Sequence, residues 1–306
     1  MKRPELLRPI VAGLVAGSAH RQIARSVGCA PSTVTRLAAR LGRHALLLLA
    51  ESLQAIGTLD EPIVFDHFET FVFSQSDRLG VGTAVGQQSW FVYSFDPAPH
   101  RRTGRIAARR RAPRTPLPEP PPRSVVRSTC RVLELLKTVS PGGLRLITDD
   151  HPAYRSAVRE VGGGIVHHVF PNPARGPGSD PAVARERDQA MFAVDLLHKL
   201  LRHSQAHHRR ETIAFGRRSN AIVERAAVMA VWRNFVKHVS ERRNDPTTPA
   251  MRLGLTDRVW SWSDVLSQRR FPGRIAMPAG WMKVYRRGWI TPAVGRNVAH
   301  DLRHAF

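Results

Sequence analysis

Cysteine is scarce: the 306-residue chain holds only Cys29 and Cys130, and no C-x-x-C pair occurs. Neither a disulfide framework nor a cysteine zinc site is therefore expected to staple the fold. Long apolar runs are also missing. The run from Ala45 to Ala50 falls far short of the roughly 20 residues that span a bilayer. The basic start, Lys2-Arg3-Pro4, is not followed by an apolar signal core or a small-residue cleavage site, so the expectation is a bacterial, cytoplasmic and nucleoid-associated protein. Acid is in short supply as well, with 24 Asp and Glu against 47 Lys and Arg, a net charge of +23. Such an excess calls for a polyanionic partner, and without a spanning segment nucleic acid is preferred to a membrane.

What the chain does have is 42% hydrophobic residues, enough for one large or two modest domains. Composition divides it without internal repeats. Residues 5–55 carry helical periodicity, with Leu6, Ile10 and Leu14 on one face, a break at Gly17-Ser18, and then two short helices. From Pro62 to Phe95 the pattern is that of strands (Ile63-Val64-Phe65, Phe71-Val72-Phe73, Val81 to Val85, Trp90 to Phe95), which suggests a three-stranded antiparallel start. Pro97 to Arg123 is rich in proline and arginine, including Arg109-Arg110-Arg111, and reads as a flexible loop. Beyond it the pattern predicts a helix over Val125 to Val139, a strand over Leu144 to Thr148, a helix opened by Pro152 and a strand over Ile165 to Phe170. Two longer helices follow, around 189–204 and 218–238. Alternating strands and helices predict an α/β domain. The expected division is an all-α head at 1–58, a catalytic domain at 59–240 with the 97–123 loop inside it, and a basic extension at 241–306.

Within the head, HRQIARSVGCAPSTVTRLAARLG places Ala24, Gly28, Val34 and Leu37 where a helix-turn-helix needs a small contact residue, a turn glycine and two packing residues. Val34, Leu37, Ala38 and Leu41 form an inward stripe. The opposite face presents Ser32, Thr33, Thr35, Arg36 and Arg40, residue types that meet base edges and phosphates in duplex DNA. An ordinary helical hairpin with a solvated basic face is the competing reading.

Three carboxylates stand out. Asp66 ends the apolar run Ile63-Val64-Phe65 and would project from a central strand, Asp149 follows the strand 144–148, and Glu224 lies on an apolar helix with Arg217 and Asn220 on the same face at i, i+3 and i+7. Hard oxygen donors in this number suit Mg²⁺, and a paired-metal site suits phosphodiester chemistry. Each acid has a plainer reading: Asp149 or Asp150 as a helix cap, Asp66 answering a buried arginine, Glu224 paired with Arg217. The order Asp, Asp, Glu along strand, strand and late helix is a pattern of nuclease folds. Glu211 is a rival third acid, though Arg209 and Arg210 beside it suggest an ion pair. His203, His207 and His208 lack a matching carboxylate spacing and read as structural or DNA-facing. Trp232, Trp260 and Trp262 read as core anchors, and Arg286-Arg287 as further phosphate contacts.

The segments VFDHFETFVFSQS, LITDDHPAYRSAV, LLRHSQAHHRRETIAFGRRSNAIVERAAVMAVWRNFVKH and SERRNDPTTPAMRLGL resemble the DDE transposases of small bacterial insertion sequences, over nearly the whole chain. The resemblance implies a helix-turn-helix followed by a ribonuclease H-like mixed sheet flanked by helices. It further implies Asp66, Asp149 and Glu224 as catalytic residues and metal ligands for Mg²⁺ or Mn²⁺, with His151 and Asn220 as supporting neighbours. The implied activity is metal-dependent cleavage at element ends and strand transfer into target DNA, by a homo-oligomer assembled on the DNA. The chain departs from many relatives in having no cysteine ribbon before the helix-turn-helix and in its Pro/Arg-rich stretch. Two other functions compete: a sequence-specific DNA-binding protein with an inactive nuclease-like core, and a nuclease or resolvase that does not transpose.

Overall fold

Three helices open the chain: α1 (Leu7–Val15), α2 (His20–Ser26) and α3 (Pro31–Ala55). The computed structural model describes residues 3–72, 77–101, 119–173 and 180–288. Gly28, in the turn between α2 and α3, has φ +65°, a left-handed backbone that glycine adopts without steric cost. Val34, Leu37, Ala38 and Leu41 are all buried, as their helical spacing predicts. The second of the two short helices expected after Gly17-Ser18 is instead one helix of 25 residues. Pro31 starts it at a position where the missing N–H costs nothing, and no proline interrupts it. The run Ala45 to Ala50 is buried all round as its continuation.

The body is mixed α/β. Five strands, β1 (Ile63–Phe71), β2 (Asp77–Gly86), β3 (Val92–Arg101), β4 (Leu144–Thr148) and β5 (Ile165–Val169), form one sheet in the order β3-β2-β1-β4-β5. The first three pair antiparallel, as the β-rich runs predict, whereas β4 and β5 join parallel to β1. Phe71 ends β1 rather than opening a new strand, because nothing in His67 to Thr70 breaks the extended chain; Phe73 lies outside the described residues. β3 runs on to Arg101, past Pro97 where the loop was expected to begin. As an edge strand it accepts Pro97 and Pro99, whose missing N–H groups leave no neighbour short of a donor. The rest of that stretch up to 118, with Arg109-Arg110-Arg111, lies outside the described residues.

Helices α4 (Ser124–Thr138) and α5 (Pro152–Val161) lie against one another, and α4 against β2 and β3. Helices α6 (Pro181–Ala190), α7 (Phe192–Ser204) and α8 (Ser219–Val231) follow, with α7 against β1 and β2, and α8 between β3 and α3. Alternation along β1 separates the two faces. Phe65 and His67 meet Tyr154 of α5, while Phe68 meets His198 of α7. Three short helices close the described chain, α9 (Pro249–Arg252), α10 (Trp262–Ser267) and α11 (Ala279–Tyr285). Trp281 of α11 stacks on Phe95 and donates its indole N–H to the Phe95 carbonyl, so the basic stretch after 240 contributes to the core. Trp260 stacks on Phe235, and Trp232 and Trp262 pack against the same core, as expected of anchors. No described helix is long and apolar enough to cross a membrane.

Candidate active site

The strand pairing brings two of the three predicted acids together. β1 and β4 run parallel with Val64 opposite Ile147, so Asp66 in β1 and Asp149, just past the end of β4, are each two residues beyond the paired positions, and the charge of Asp149 is felt at Asp66. Asp66 lies within β1 rather than at its end. Its Oδ1 accepts from its neighbour's backbone, His67 N at 2.7 Å, and from the Tyr154 hydroxyl at 2.9 Å. Asp149 Oδ1 accepts from His151 N at 3.1 Å, and its Oδ2 from Asn172 Nδ2 at 3.0 Å. The cap of α5 is neither aspartate: His151 Nδ1 accepts from Ala153 N, and Asp150 pairs with Arg155. His151 thus supports Asp149 through its backbone, not its ring.

The third predicted acid is elsewhere. Glu224 of α8 is turned to α3, where its Oε1 meets Arg43 Nη1 at 3.2 Å. A Cβ built on Gly42 would lie 2.4 Å from the Glu224 Cβ, so the two helices touch backbone to backbone at this point. Burial raises the Glu224 carboxyl above its ordinary range and Arg43 opposes that rise. Arg217 does not share its face either, because α8 begins only at Ser219 and Arg217 is exposed before it. Asn220 is buried on α8, and its Oδ1 has no hydrogen-bond partner among the described residues. Glu211 is exposed in the loop before α8. Glu224, expected as a ligand with Arg217 and Asn220 as its supports, is thus engaged with Arg43, and Arg217 lies before the helix rather than on its face.

A different acid, Asp195, stands close to Asp66. Among the described residues, the one group of His, Cys, Asp and Glu with metal-ligand spacing is Asp66, Asp195 and His198, whose donor atoms all lie within 4.8 Å of one another. Asp195 and His198 sit one turn apart on α7, whose Val194, Leu197 and Leu201 are buried and fix its orientation. Asp195 also pairs with Arg187 of α6. His198 Nε2 lies 2.8 Å from Thr83 Oγ1, and its Nδ1 faces Asp66 Oδ2 at 3.7 Å. The signal for this pair was in the sequence as D-x-x-H inside a helix of otherwise apolar periodicity. His207 and His208 are buried with ring centroids 3.9 Å apart, and belong to the packing.

Electrostatics single out the same place. The Asp66 carboxyl is pushed up to about 7, first by burial and then by the negative charges of Asp149 and Asp195, against the hydrogen bonds from Tyr154 and His67. Tyr154 is held well above the usual phenol range, by burial and then by the charges of Asp66 and Asp149, and so remains a donor. His198 is pushed down to about 3 by burial, with Arg202 and Arg187 adding to it, and so is neutral. Burial and two neighbouring acids make the Asp66 carboxylate costly on its own, and a divalent cation among these hard oxygen donors would offset that cost.

On the head, Ser32, Thr35, Arg36 and Arg40 are exposed and Thr33 is half-buried, all on the face opposite the packed stripe. The Thr35 hydroxyl is already engaged, donating to the Pro31 carbonyl at 3.1 Å and lying 2.9 Å from His20 Nδ1. Compared with known proteins, the chain matches no family model and no curated protein.

Proposed function

We propose that this chain is a metal-dependent DNA transposase of the DDE type, with Asp66, Asp149 and Asp195 as its carboxylates. The observation that carries the reading is the approach of Asp66 on β1 to Asp149 just past the end of the parallel neighbour β4, with Asp195 brought to Asp66 by α7. We read the sheet as ribonuclease H-like and α2 with α3 as a helix-turn-helix. The central acid sits on the strand where the sheet changes from antiparallel to parallel, and a left-handed glycine turns the chain between the two head helices.

A divalent cation such as Mg²⁺ or Mn²⁺, when bound, supplies charge stabilisation for the attacking and leaving oxygens of a phosphodiester. Asp66, Asp149 and Asp195 would hold it. Tyr154 fixes the rotamer of Asp66 through Oδ1 and leaves Oδ2 free to the site, and Asn172 with the His151 backbone fixes Asp149. The net charge of +23 and the exposed face of α3 support duplex DNA as substrate, gripped through phosphates and read by the head. Double-stranded element ends and target, brought together by a homo-oligomer on the DNA, are the partners this reading assigns.

The test is incubation of purified protein with Mn²⁺ or Mg²⁺ and the DNA flanking its own gene. Nicks at defined ends that vanish in Asp66→Asn, Asp149→Asn and Asp195→Asn would sustain the reading. Specific DNA binding with no metal-dependent cleavage would replace it with a DNA-binding protein of inactive core.

A further inference from the structure

His198 stands in an arrangement that the three-carboxylate reading does not use. Asp66 and Thr83 are opposite one another on β1 and β2, and the Thr83 hydroxyl donates to the Asp66 carbonyl at 3.0 Å. Its single proton thus spent, Thr83 Oγ1 offers lone pairs to His198 Nε2 at 2.8 Å, and Nε2 must carry the ring proton. The Nδ1 lone pair then points toward Asp66 Oδ2. At 3.7 Å the two atoms are too far apart for a hydrogen bond between them.

Neither a proton on Nδ1 nor one on Oδ2 closes a hydrogen bond at that separation, so the gap between the two donor atoms is open to a third atom. A cation about 2 Å from each atom spans such a gap. The far nitrogen donating to a hydroxyl is also the support that metal-bound imidazoles characteristically have. Asp195, one turn before His198, supplies a further oxygen on the same side.

We infer that His198 is a metal ligand through Nδ1, so that this centre, resting on the carboxylate reading above, is a mixed oxygen and nitrogen site that prefers Mn²⁺ to Mg²⁺. Imidazole is a good donor to first-row transition metals, whereas Mg²⁺ favours oxygen and retains its waters. Thr83 becomes a positioning residue that fixes the tautomer.

The experiment uses Mn²⁺ as the probe on the full chain, with pulsed electron paramagnetic resonance to detect a coordinated ¹⁴N and a titration to measure affinity. The wild type should show nitrogen coupling, and His198→Gln should lose it with about a tenfold or greater weakening of Mn²⁺ binding and a smaller change for Mg²⁺. Thr83→Val, which touches no ligand atom, should weaken Mn²⁺ binding in the same direction. Thermal unfolding of each variant checks that it folds, and should His198→Gln not fold, the wild-type nitrogen coupling and Thr83→Val decide. Mn²⁺ bound through Asp66 and Asp195 without nitrogen coupling would overturn the role of His198 and leave the carboxylate centre standing. No Mn²⁺ binding at all would sink both.

Discussion

Arg43 and Glu224 form an ion pair across the contact of α3 with α8, with Nη1 and Oε1 3.2 Å apart and only 17% and 8% of their side chains exposed. It ties the head to the body, and removing one partner leaves the other buried without compensation. Arg43→Met is expected to cost on the order of 3 kcal/mol in urea unfolding. Arg43→Met combined with Glu224→Leu should recover most of that. A single variant as stable as the wild type would mean that the pair is solvated in solution.

The raised carboxyl of Asp66 makes a pH prediction. Its value of about 7 in the folded chain against an ordinary 3.8 means that the folded state holds the proton more tightly. Without metal, stability should therefore be highest where Asp66 is protonated and fall as pH rises from about 4 to about 7. Asp66→Asn removes this dependence. The variant should gain in melting temperature over the wild type at pH 8 and gain much less at pH 5, and saturating Mn²⁺ should restore the wild type at pH 8. An equal gain at both pH values would mean that Asp66 titrates as an exposed acid does.

How far the sequence carried the site depends on which interactions are local. The strand patterns around Asp66 and Asp149 are local, and both acids stand out from them in the sequence. That β1 and β4 pair in parallel with Val64 opposite Ile147 follows from the course of the whole chain, which no window of residues contains. Glu224 and Asp195 show the limit best. Each lies on a largely apolar helix, but which helix faces the sheet depends on the long head helix α3 taking one side of α8 for itself. The length of α3 is not legible in the sequence because its buried continuation, apolar all round, carries no amphipathic period to follow.

Tyr154 is expected to act through Asp66 rather than on DNA. Tyr154→Phe removes the donor to Oδ1 while keeping the ring that packs edge-on to Phe65. Metal affinity or cleavage should fall about tenfold to a hundredfold, with the apparent pKa of Asp66 rising further because one interaction that lowers it is gone. An unchanged pH profile alongside a lowered melting temperature would give Tyr154 a purely structural role.

The head makes the last prediction, and its residues should not behave alike. Arg36 and Arg40 are exposed on α3, so Arg36→Ala and Arg40→Ala should each weaken binding to any duplex and lower the dependence of log affinity on log salt by about 1. Ser32→Ala should instead cost about 1–3 kcal/mol on cognate ends only, if its hydroxyl reads a base edge. Thr35 belongs to neither class. His20 Nε2 accepts from Arg225 Nη2 at 3.0 Å, which places the ring proton on Nδ1 and makes the Thr35 hydroxyl its acceptor. Thr35→Ala should therefore loosen the link from the head to α8 and lower the melting temperature, with little change in the salt slope. Fluorescence anisotropy on cognate and scrambled duplexes over a salt series separates the three outcomes. A uniform loss for all four variants would mean that this face does not discriminate sequence.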